Sequence, residues 1–375
     1  MNSLGLYIHI PWCIKKCPYC DFNSHALKSE VPEQNYVDAL LHDLQLDLSL
    51  LESSATISSI FFGGGTPSLF SAQAIERLLN GIAQQVPLQE NLEITLEANP
   101  GTFESQKFAE FRAIGINRLS IGIQSFNNQH LKLLGRIHSA EEALAAVEIA
   151  YQAGFDNVNL DLMFGLPKQT NKQMLTDIQT AIDLQPSHIS FYQLTLEPNT
   201  YFHKFPPQLP KDDFIFSAQL QCQQLLSKAG YIQYEISAYA QNNAACQHNL
   251  NYWSFGDYLG IGAGAHGKIS ISQADNIVRT SKPKSPEQYL ANQKAIINKI
   301  PQRELPLEFV MNQLRLKAGF SVDRFQTSTG LEKDMLEPAL SQCINEGLII
   351  QQGGQYLCSE QGWNFLDDIL EKFMT

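Results

Sequence analysis

The sequence predicts an α/β protein with a parallel sheet, followed by a small α+β domain that resembles a winged helix. Short apolar strands alternate with amphipathic helices through the first two-thirds of the 375 residues. Polar and glycine-bearing residues follow these strands. From about Leu305 the pattern changes to helices followed by a short hairpin. Six strand–helix units in series imply parallel strands with helical crossovers, which either a doubly wound sheet or a partial barrel would satisfy.

The predicted strands are short apolar runs, and the helices between them each have one apolar face. The strands are Gly5–Ile10, Ser58–Phe62, Leu92–Glu97, Arg118–Ile123, Asn157–Met163 and His188–Leu194. The helices are Glu33–Leu51, Ala72–Gln85, Ser105–Ile114, Ala140–Ala153, Lys172–Leu184 and Asp212–Ala229. Gly115 and Gly154 each end a helix, where glycine is favoured because it tolerates a left-handed backbone.

Clusters of polar and glycine residues follow five of the strands. They are Cys13–Cys20, Gly63–Thr66, Glu97–Pro100, Gln124–Phe126 and Gly165–Pro167. In parallel α/β folds the carboxyl ends of the strands meet at one edge, and functional sites form there. We therefore expect these clusters to converge on a single mouth.

Composition is that of an ordinary globular protein, with 44% hydrophobic and 17% charged residues. The formal net charge of −12 disfavours a nucleic-acid-binding protein, which is more often basic. No apolar run approaches the roughly 18–20 residues that cross a bilayer. The N-terminal residues lack the features of a secretory signal, so a cytoplasmic location is expected.

The changes in pattern divide the chain into three regions: residues 1–240, 241–304 and 305–375. Residues 1–240 carry the strand–helix units, and 241–304 form a connecting segment with a proline-containing linker at Lys282–Pro286. The last region has a hairpin, Leu348–Gln351 and Tyr356–Cys358 around Gly353–Gly354, and then a helix, Ser359–Phe373. Winged helices often bind DNA, but this one lacks a basic recognition helix, which favours a packing or partner role.

Three of the seven cysteines, Cys13, Cys17 and Cys20, lie within eight residues after the first strand. In a reducing compartment such spacing is typical of a metal site. Three thiolates suit a [4Fe–4S] cluster with one iron open to another molecule. Zinc is the alternative, because His9 or His25 would supply the fourth ligand that structural zinc needs. Of the other four thiols, three are interpreted as buried apolar residues: Cys222, Cys343 and Cys358.

The CxxxCxxC spacing, with Tyr19 directly before the last cysteine, resembles the signature of radical S-adenosylmethionine enzymes. The fold of that family is a partial (β/α)6 barrel, which the resemblance favours over a doubly wound sheet. In that family S-adenosylmethionine chelates the open iron, and an electron from the cluster cleaves its sulfonium to give a 5′-deoxyadenosyl radical.

Within this family the chain resembles the anaerobic coproporphyrinogen III oxidase-like proteins over nearly its whole length. The matching stretches are LYIHIPWC, FFGGGTPS, LEANPG, GIQSFN, LLGR, DLMFGLP and YLGIGAGAH. The resemblance implies that the residues around S-adenosylmethionine are Tyr7, Gly64, Gly65, Thr66, Glu97, Gln124, Arg136 and Asp161. Glycines let the backbone approach the methionine amino group, and an arginine guanidinium pairs bidentately with a carboxylate.

Two activities occur among proteins that this sequence resembles. The oxidases are radical enzymes that decarboxylate two propionates of a porphyrinogen, whereas the haem-chaperone branch binds haem and delivers it to respiratory haemoproteins. The oxidases carry a further cysteine at the position that Phe22 occupies here. They also have a long N-terminal extension before the first strand, whereas only six residues precede Tyr7 in this sequence. These departures favour a haem chaperone without coproporphyrinogen oxidase activity; the oxidase is the alternative.

The segment His248-Asn249-Leu250-Asn251-Tyr252-Trp253 matches the HNxxYW motif of the chaperone branch. Imidazole is a common axial ligand of haem iron, so His248 is the predicted haem ligand, ahead of Cys246. His266, in GAGAH, is expected near the barrel mouth. The resemblance also implies a homodimer linked to the cluster, and it leaves peripheral membrane contact open.

Overall fold

The computed structural model describes residues 2–28, 30–51, 54–101, 105–241, 243–271 and 277–374. Within these ranges, a mixed sheet of twelve strands forms the main body of the protein. A separate three-stranded sheet lies in the C-terminal domain. None of the described helices combines the length and the apolar character that crossing a membrane requires.

Six parallel strands follow one another through the large sheet in their order along the chain. They are Asn2–Ile10, Ala55–Gly64, Leu88–Ala98, Arg118–Gln124, Asn157–Phe164 and His188–Gln193. A doubly wound sheet would reverse the strand order at a switch point, whereas a barrel proceeds in one direction. The α/β fold is therefore confirmed, and the strand order favours the partial barrel.

Helices connect and follow these strands, and all but Asn128–Leu133 and Tyr201–Lys204 lie close to where the sequence predicts them. The bounds are Glu33–Leu48, Ala72–Gln85, Phe108–Ala113, Asn128–Leu133, Ala140–Gln152, Asn171–Asp183, Tyr201–Lys204 and Asp212–Lys228. Capping boxes begin two of them, in which Ser139 and Thr170 accept from the backbone N–H three residues on. Buried Leu78 and Ile82 show how one helix face completes the core.

The region 241–304 adds strands to the large sheet. Tyr258–Ile261 pairs parallel with the first strand, and three antiparallel strands follow: His266–Ser270, Ile277–Ser281 and Ile296–Lys299. At the other edge lie Ala238–Ala240 and Ile232–Glu235. The prolines of Lys282–Pro286 do not mark a free linker, because Pro286 begins a helix, Pro286–Ala291.

A buried ion-pair cluster ties this region to the first long helix. Lys282 pairs with both Asp43 and Asp47, and all three side chains are almost completely inaccessible to solvent. Asp43 Oδ2 also accepts hydrogen bonds from the Tyr289 hydroxyl at 2.6 Å and the Gly262 N–H at 3.1 Å. The cluster thereby holds the turn that leads into the strand His266–Ser270.

The C-terminal domain has its own core around Phe309, Phe320 and Phe325. Its helices are Leu305–Gln313, Val322–Thr329, Ala339–Asn345, Glu360–Asn364 and Leu366–Lys372, and its strands are Phe320–Ser321, Ile349–Gln352 and Gln355–Cys358. The predicted hairpin is present, and Gly353 and Gly354 both have positive φ at its turn.

The predicted helix Ser359–Phe373 is instead two short helices, separated at Phe365, whose φ of −125° is not helical. Trp363 and Ile369 are both buried. In one continuous helix, residues six positions apart would point about 120° away from each other. The break allows both side chains to face the domain core.

Candidate cofactor site

The loop after the first strand carries the three clustered cysteines. Its two ends are held together where Trp12–Cys13 pairs parallel with His25–Ala26. Cys13, Cys17 and Cys20 are free, half-buried thiols that line one cavity. Burial raises the pKa of the Cys13 and Cys20 thiols. A positively charged metal centre would favour the thiolate form that burial opposes.

The spacing of the thiols bears on the choice between zinc and a cluster. In the described ranges, no three His, Cys, Asp or Glu side chains lie close enough together to hold one metal ion. Both ring nitrogens of His9 have other partners, the Tyr7 hydroxyl at 3.0 Å and the Asn23 carbonyl at 2.8 Å. An iron–sulfur cluster binds each thiolate at a different iron atom, so the thiols surround it instead of meeting at a point. With both ring nitrogens engaged, His9 has no free nitrogen to serve as the fourth ligand of a zinc ion.

Seven of the eight residues predicted around S-adenosylmethionine line the same cavity as the thiols. The seven are Gly64, Gly65, Thr66, Glu97, Gln124, Arg136 and Asp161. They come from the second to fifth parallel strands and the segments that follow them. Tyr7, the eighth, lies on an adjoining cavity. Four of the five predicted clusters therefore contribute to one mouth, whereas Gly165–Pro167 supplies no residue to the lining of either cavity.

Glycine is required by geometry at the end of the second strand. Gly64 has a φ of +112°, and a Cβ there would lie 2.5 Å from the His9 ring. A Cβ on Gly65 would lie 2.5 Å from the carbonyl oxygen of Trp12. The Gly64 N–H donates to Glu97 Oε2 at 3.2 Å. These glycines bring the backbone directly against the cysteine loop.

Arg136 lies at the centre of a polar network on the cavity wall. Its Nη2 donates to Asn99 Oδ1 and to the Gly122 carbonyl, both at 2.7 Å, and its Nη1 lies 3.8 Å from Cys17 Sγ. Its Nε is buried and has no hydrogen-bond partner among the described residues. Gln124 nearby has a φ of +69°, which is strained for a residue other than glycine. A bound carboxylate would satisfy the unpaired guanidinium nitrogen.

Two half-buried carboxyl groups face the same space. Burial, and then the neighbouring Asp161, raise the pKa of Glu97 to about 8. Burial likewise raises the pKa of Asp161, which accepts hydrogen bonds from Ser120 Oγ at 3.0 Å and Asn159 Nδ2 at 2.8 Å. A cation in the cavity would stabilise both as carboxylates. The donor set therefore fits a ligand that carries both a carboxylate and positive charge.

A second cavity of about 750 Å³ adjoins the first and shares Gly64 and Glu97 with it. Aromatic rings form much of its wall: Phe61 stacks on His248 with ring centroids 5.2 Å apart, and Tyr252 lies edge-on to Tyr258 at 4.2 Å. Its volume is within the usual range for sites that hold small molecules and cofactors.

His248 lies on this wall but is fully engaged within the protein. Its Nδ1 shares a hydrogen bond with Ser59 Oγ at 2.9 Å, and its Nε2 shares one with the Tyr252 hydroxyl at 2.9 Å. Burial lowers its pKa to about 3, so the ring is neutral at pH 7. The side chain of Glu93 accepts from the backbone N–H groups of Gln247 and His248 and so fixes the start of the helix Gln247–Trp253.

The two ends of this helix make other contacts, whereas Asn249 and Tyr252 also line the second cavity. Trp253 stacks against the guanidinium of Arg315, whose Cζ lies 4.3 Å from the indole centroid. Arg315 belongs to the segment after the first helix of the C-terminal domain and also pairs with Glu235 at 3.0 Å. Cys246 is buried beside Glu93, and burial raises its pKa to about 12. The helix thus connects the second cavity with the C-terminal domain.

Several residues of these cavities are absent from the predicted set. Asn99 bridges Arg136 and Thr66, and Tyr192 donates to Gln124 Oε1 at 2.7 Å. Asn99 lies in the strand-end cluster Glu97–Pro100, so the pattern already indicated it. Tyr192 lies within the strand His188–Gln193, and the pattern did not indicate it. Phe61 has no such signal, because an apolar strand residue is ordinarily part of the core.

Sequence models of two known families match the chain. The Radical SAM superfamily model covers residues 7–181, and that of the HemN C-terminal domain covers residues 300–365. Among solved structures, coproporphyrinogen III oxidase (HemN) from Escherichia coli matches with a TM-score of 0.83 and 21% identity, over 100% of this chain and 90% of that one. The fold and the site therefore define a radical SAM protein with a HemN-like C-terminal domain.

Curated relatives extend over the whole chain. Heme chaperone HemW of Haemophilus influenzae is 50% identical over 100% of this chain and 99% of its own length, and HemW of Escherichia coli is 47% identical with the same coverage. Radical S-adenosyl methionine domain-containing protein 1, mitochondrial, of Bos taurus is 34% identical over 99% of this chain and 87% of its own. The chain belongs to the HemW family.

Proposed function

We propose that this protein is a haem chaperone, which binds haem and delivers it to haemoproteins such as respiratory enzymes. The observation that carries the proposal is the large aromatic cavity directly beside the thiol cavity, whose lining includes His248, Asn249 and Tyr252 of the HNLNYW segment. The name of the full-length relatives, heme chaperone, supports the same function. The proposal includes a cytoplasmic location, because ligand cysteines must stay reduced, and a homodimer as the working form.

In this proposal Cys13, Cys17 and Cys20 hold a [4Fe–4S] cluster. S-adenosylmethionine occupies the adjoining part of the thiol cavity, with Arg136 toward its carboxylate and Gly64, Gly65 and Thr66 toward its amino group. The other residues assigned to it are Glu97, Gln124, Asp161 and, from the adjoining wall, Tyr7. When bound, the pair supplies an electron donor and a reducible sulfonium.

We expect S-adenosylmethionine to bind about tenfold more tightly at pH 9 than at pH 6, a change of ~1.4 kcal/mol. The raised pKa of Glu97, about 8, means that this side chain is a neutral acid below that pH and a carboxylate above it. The sulfonium keeps its positive charge throughout, so attraction increases as Glu97 loses its proton. Calorimetric titration of the cluster-loaded chain across this pH range measures the effect.

Glu97→Gln should bind more weakly at high pH and show a smaller pH dependence than the wild type; the remainder comes from the α-amino group of the ligand, which also titrates in this range. Glu110→Gln, which changes an exposed carboxylate on a surface helix, is the matched control and should retain the wild-type profile. Identical pH profiles for the wild type and Glu97→Gln would contradict the role assigned to this residue.

The chemistry of the side chains that line the second cavity supports haem as its ligand. The rings of Tyr7, Phe61, Tyr252 and Tyr258 offer flat apolar surfaces to a macrocycle. His248 contributes to the wall through its contacts with Phe61 and Tyr252. The lysines Lys16 and Lys284 lie at the same cavity and carry charge opposite to that of haem propionates.

Oxidative decarboxylation of coproporphyrinogen III is the alternative function. The likeness to HemN concerns the fold, and Phe22 replaces the additional cysteine that the oxidases carry. Phe22 is 59% exposed and lines both cavities, so it stands where the two meet. An apolar ring at this position can contact a macrocycle, but it cannot act as a further thiol ligand.

One anaerobic preparation with reconstituted cluster tests both functions. We expect ferric haem to bind with a stoichiometry of one per chain and to pass to an apo-haemoprotein, and we expect no turnover of coproporphyrinogen III. Absorbance titration measures binding, and product analysis measures decarboxylation. Absence of stoichiometric haem binding, or sustained porphyrinogen turnover, would refute the chaperone function.

A further inference from the structure

Four histidines line the second cavity, and they differ in how their ring nitrogens are used. His9 and His248 are buried, and both nitrogens of each ring have hydrogen-bond partners inside the protein. His25 uses its Nε2 to contact the Lys284 carbonyl at 3.2 Å. His266 is exposed at the cavity, and within the described residues neither of its ring nitrogens has a hydrogen-bond partner.

An iron ligand needs a nitrogen lone pair that is free to point at the metal. For His248 to bind iron through Nε2, it must break the bond to Tyr252, and Nδ1 is held by Ser59. His266 loses no such bond. Partial burial of its ring lowers the pKa of His266, and Lys284 and Arg279 lower it further, so the ring is the neutral imidazole that coordinates metals.

The turn before His266 is held firmly from two sides. Gly262, at its start, donates to the buried Asp43 and to the Tyr289 hydroxyl at 3.1 Å each. Asn23, on the cysteine loop, donates to the carbonyls of Ala263 at 2.8 Å and Lys284 at 2.9 Å. His266 and Lys284 are therefore fixed relative to each other and to the loop of the three thiols.

Lys284 supplies the charge that a haem propionate requires. It lies on the same cavity and forms no ion pair with a described residue. Lys16, the other cation of this cavity, donates to the carbonyls of Phe22 at 3.1 Å and Ser24 at 3.3 Å. An unpaired ammonium group beside an unpaired imidazole is the arrangement expected for a haem bound through iron and propionate.

Accepting the proposed haem-binding function, we infer that His266 is the axial ligand of the haem iron and that Lys284 binds a haem propionate. His248 then acts as a positioning residue, which holds Tyr252 against the macrocycle. The cluster loop orients both contacts through Asn23.

Titration with ferric haem and with metal-free protoporphyrin IX separates these roles. In His266→Ala we expect ferric haem to bind about tenfold or more weakly, with an altered Soret band and paramagnetic resonance spectrum, while protoporphyrin IX affinity stays within about twofold of wild type. Added imidazole should restore the wild-type spectrum, because it replaces the lost ligand in the space that the variant leaves.

Matched variants complete the test. His25→Ala removes the other partly free imidazole of the cavity and should keep the wild-type haem spectrum. Lys284→Ala should weaken haem and protoporphyrin IX alike, since both carry propionates, without changing the iron spectrum. His248→Ala should weaken both ligands but retain the axial-ligand signature.

The outcomes distinguish this inference from the proposed function. If the wild-type chain binds no haem, both fail. If it binds haem and the His266→Ala spectrum is unchanged, or if His248→Ala alone loses the axial signature and recovers it with imidazole, the ligand assignment fails and the chaperone function stands. Circular dichroism confirms folding, which the exposed position of His266 should preserve.

Discussion

Cys17→Ala is expected to abolish the iron–sulfur cluster, with iron and labile sulfide falling from about four atoms per chain to near zero. Three thiolates are the minimum for a stable site of this type, and within the described residues no further cysteine lines the cavity. Cys13→Ala and Cys20→Ala should behave in the same way. Iron and sulfide analysis, together with visible absorbance, measures the loss after anaerobic reconstitution.

Cys358→Ala is the matched control, because this thiol is also half-buried but belongs to the C-terminal domain. It should reconstitute like the wild type. A Cys17→Ala chain that keeps wild-type iron content and absorbance would disprove the assignment of the thiols. Circular dichroism of each variant before reconstitution distinguishes loss of a ligand from loss of the fold.

Lys282→Met should lower the free energy of unfolding by about 3–5 kcal/mol, since it leaves the buried carboxyl groups of Asp43 and Asp47 without their cation. Arg77→Met, which breaks an exposed pair with Asp38, should cost less than about 1 kcal/mol. Denaturant unfolding of the two variants measures the contrast. Equal losses would mean that the buried cluster contributes no more than a surface pair.

The loss in Lys282→Met should depend on pH in a defined direction. Burial raises the pKa of Asp47 to about 6 and that of Asp43 above its usual range, and Lys282 opposes both shifts. Without Lys282 these carboxyl groups bind protons more readily in the folded chain. The loss in free energy of unfolding caused by Lys282→Met is therefore smaller at about pH 5 than at about pH 8, where the two carboxyl groups must be charged.

Local patterns predicted the parts of this protein that depend on sequence periodicity. Each strand of the parallel sheet repeats the same apolar run, and a parallel sheet necessarily brings the following loops to one edge. Glu97 and Asp161, more than 60 residues apart, meet for this reason alone. The three thiols were identifiable because their spacing is itself unusual.

Contacts between distant parts of the chain left no such pattern. From the sequence, Lys282 is interpreted as part of a linker. No residue near it indicates that it pairs with two carboxylates on a helix about 240 residues earlier. The strands at Tyr258–Ile261 and beyond are short, so they did not stand out from loop sequence. The engagement of both nitrogens of His248 depends on Ser59, a residue of another strand, and no motif around His248 encodes it.

The helix Gln247–Trp253 couples the second cavity to the C-terminal domain, because Tyr252 faces the cavity while Trp253 stacks on Arg315. A ligand that shifts this helix alters the free energy of both contacts. By reciprocity, a protein that binds the C-terminal domain and tilts the helix must change haem affinity by the same factor as haem changes affinity for that protein. The same coupling free energy, transmitted by a helix of seven residues, would then govern both the binding of haem and its release to the partner protein.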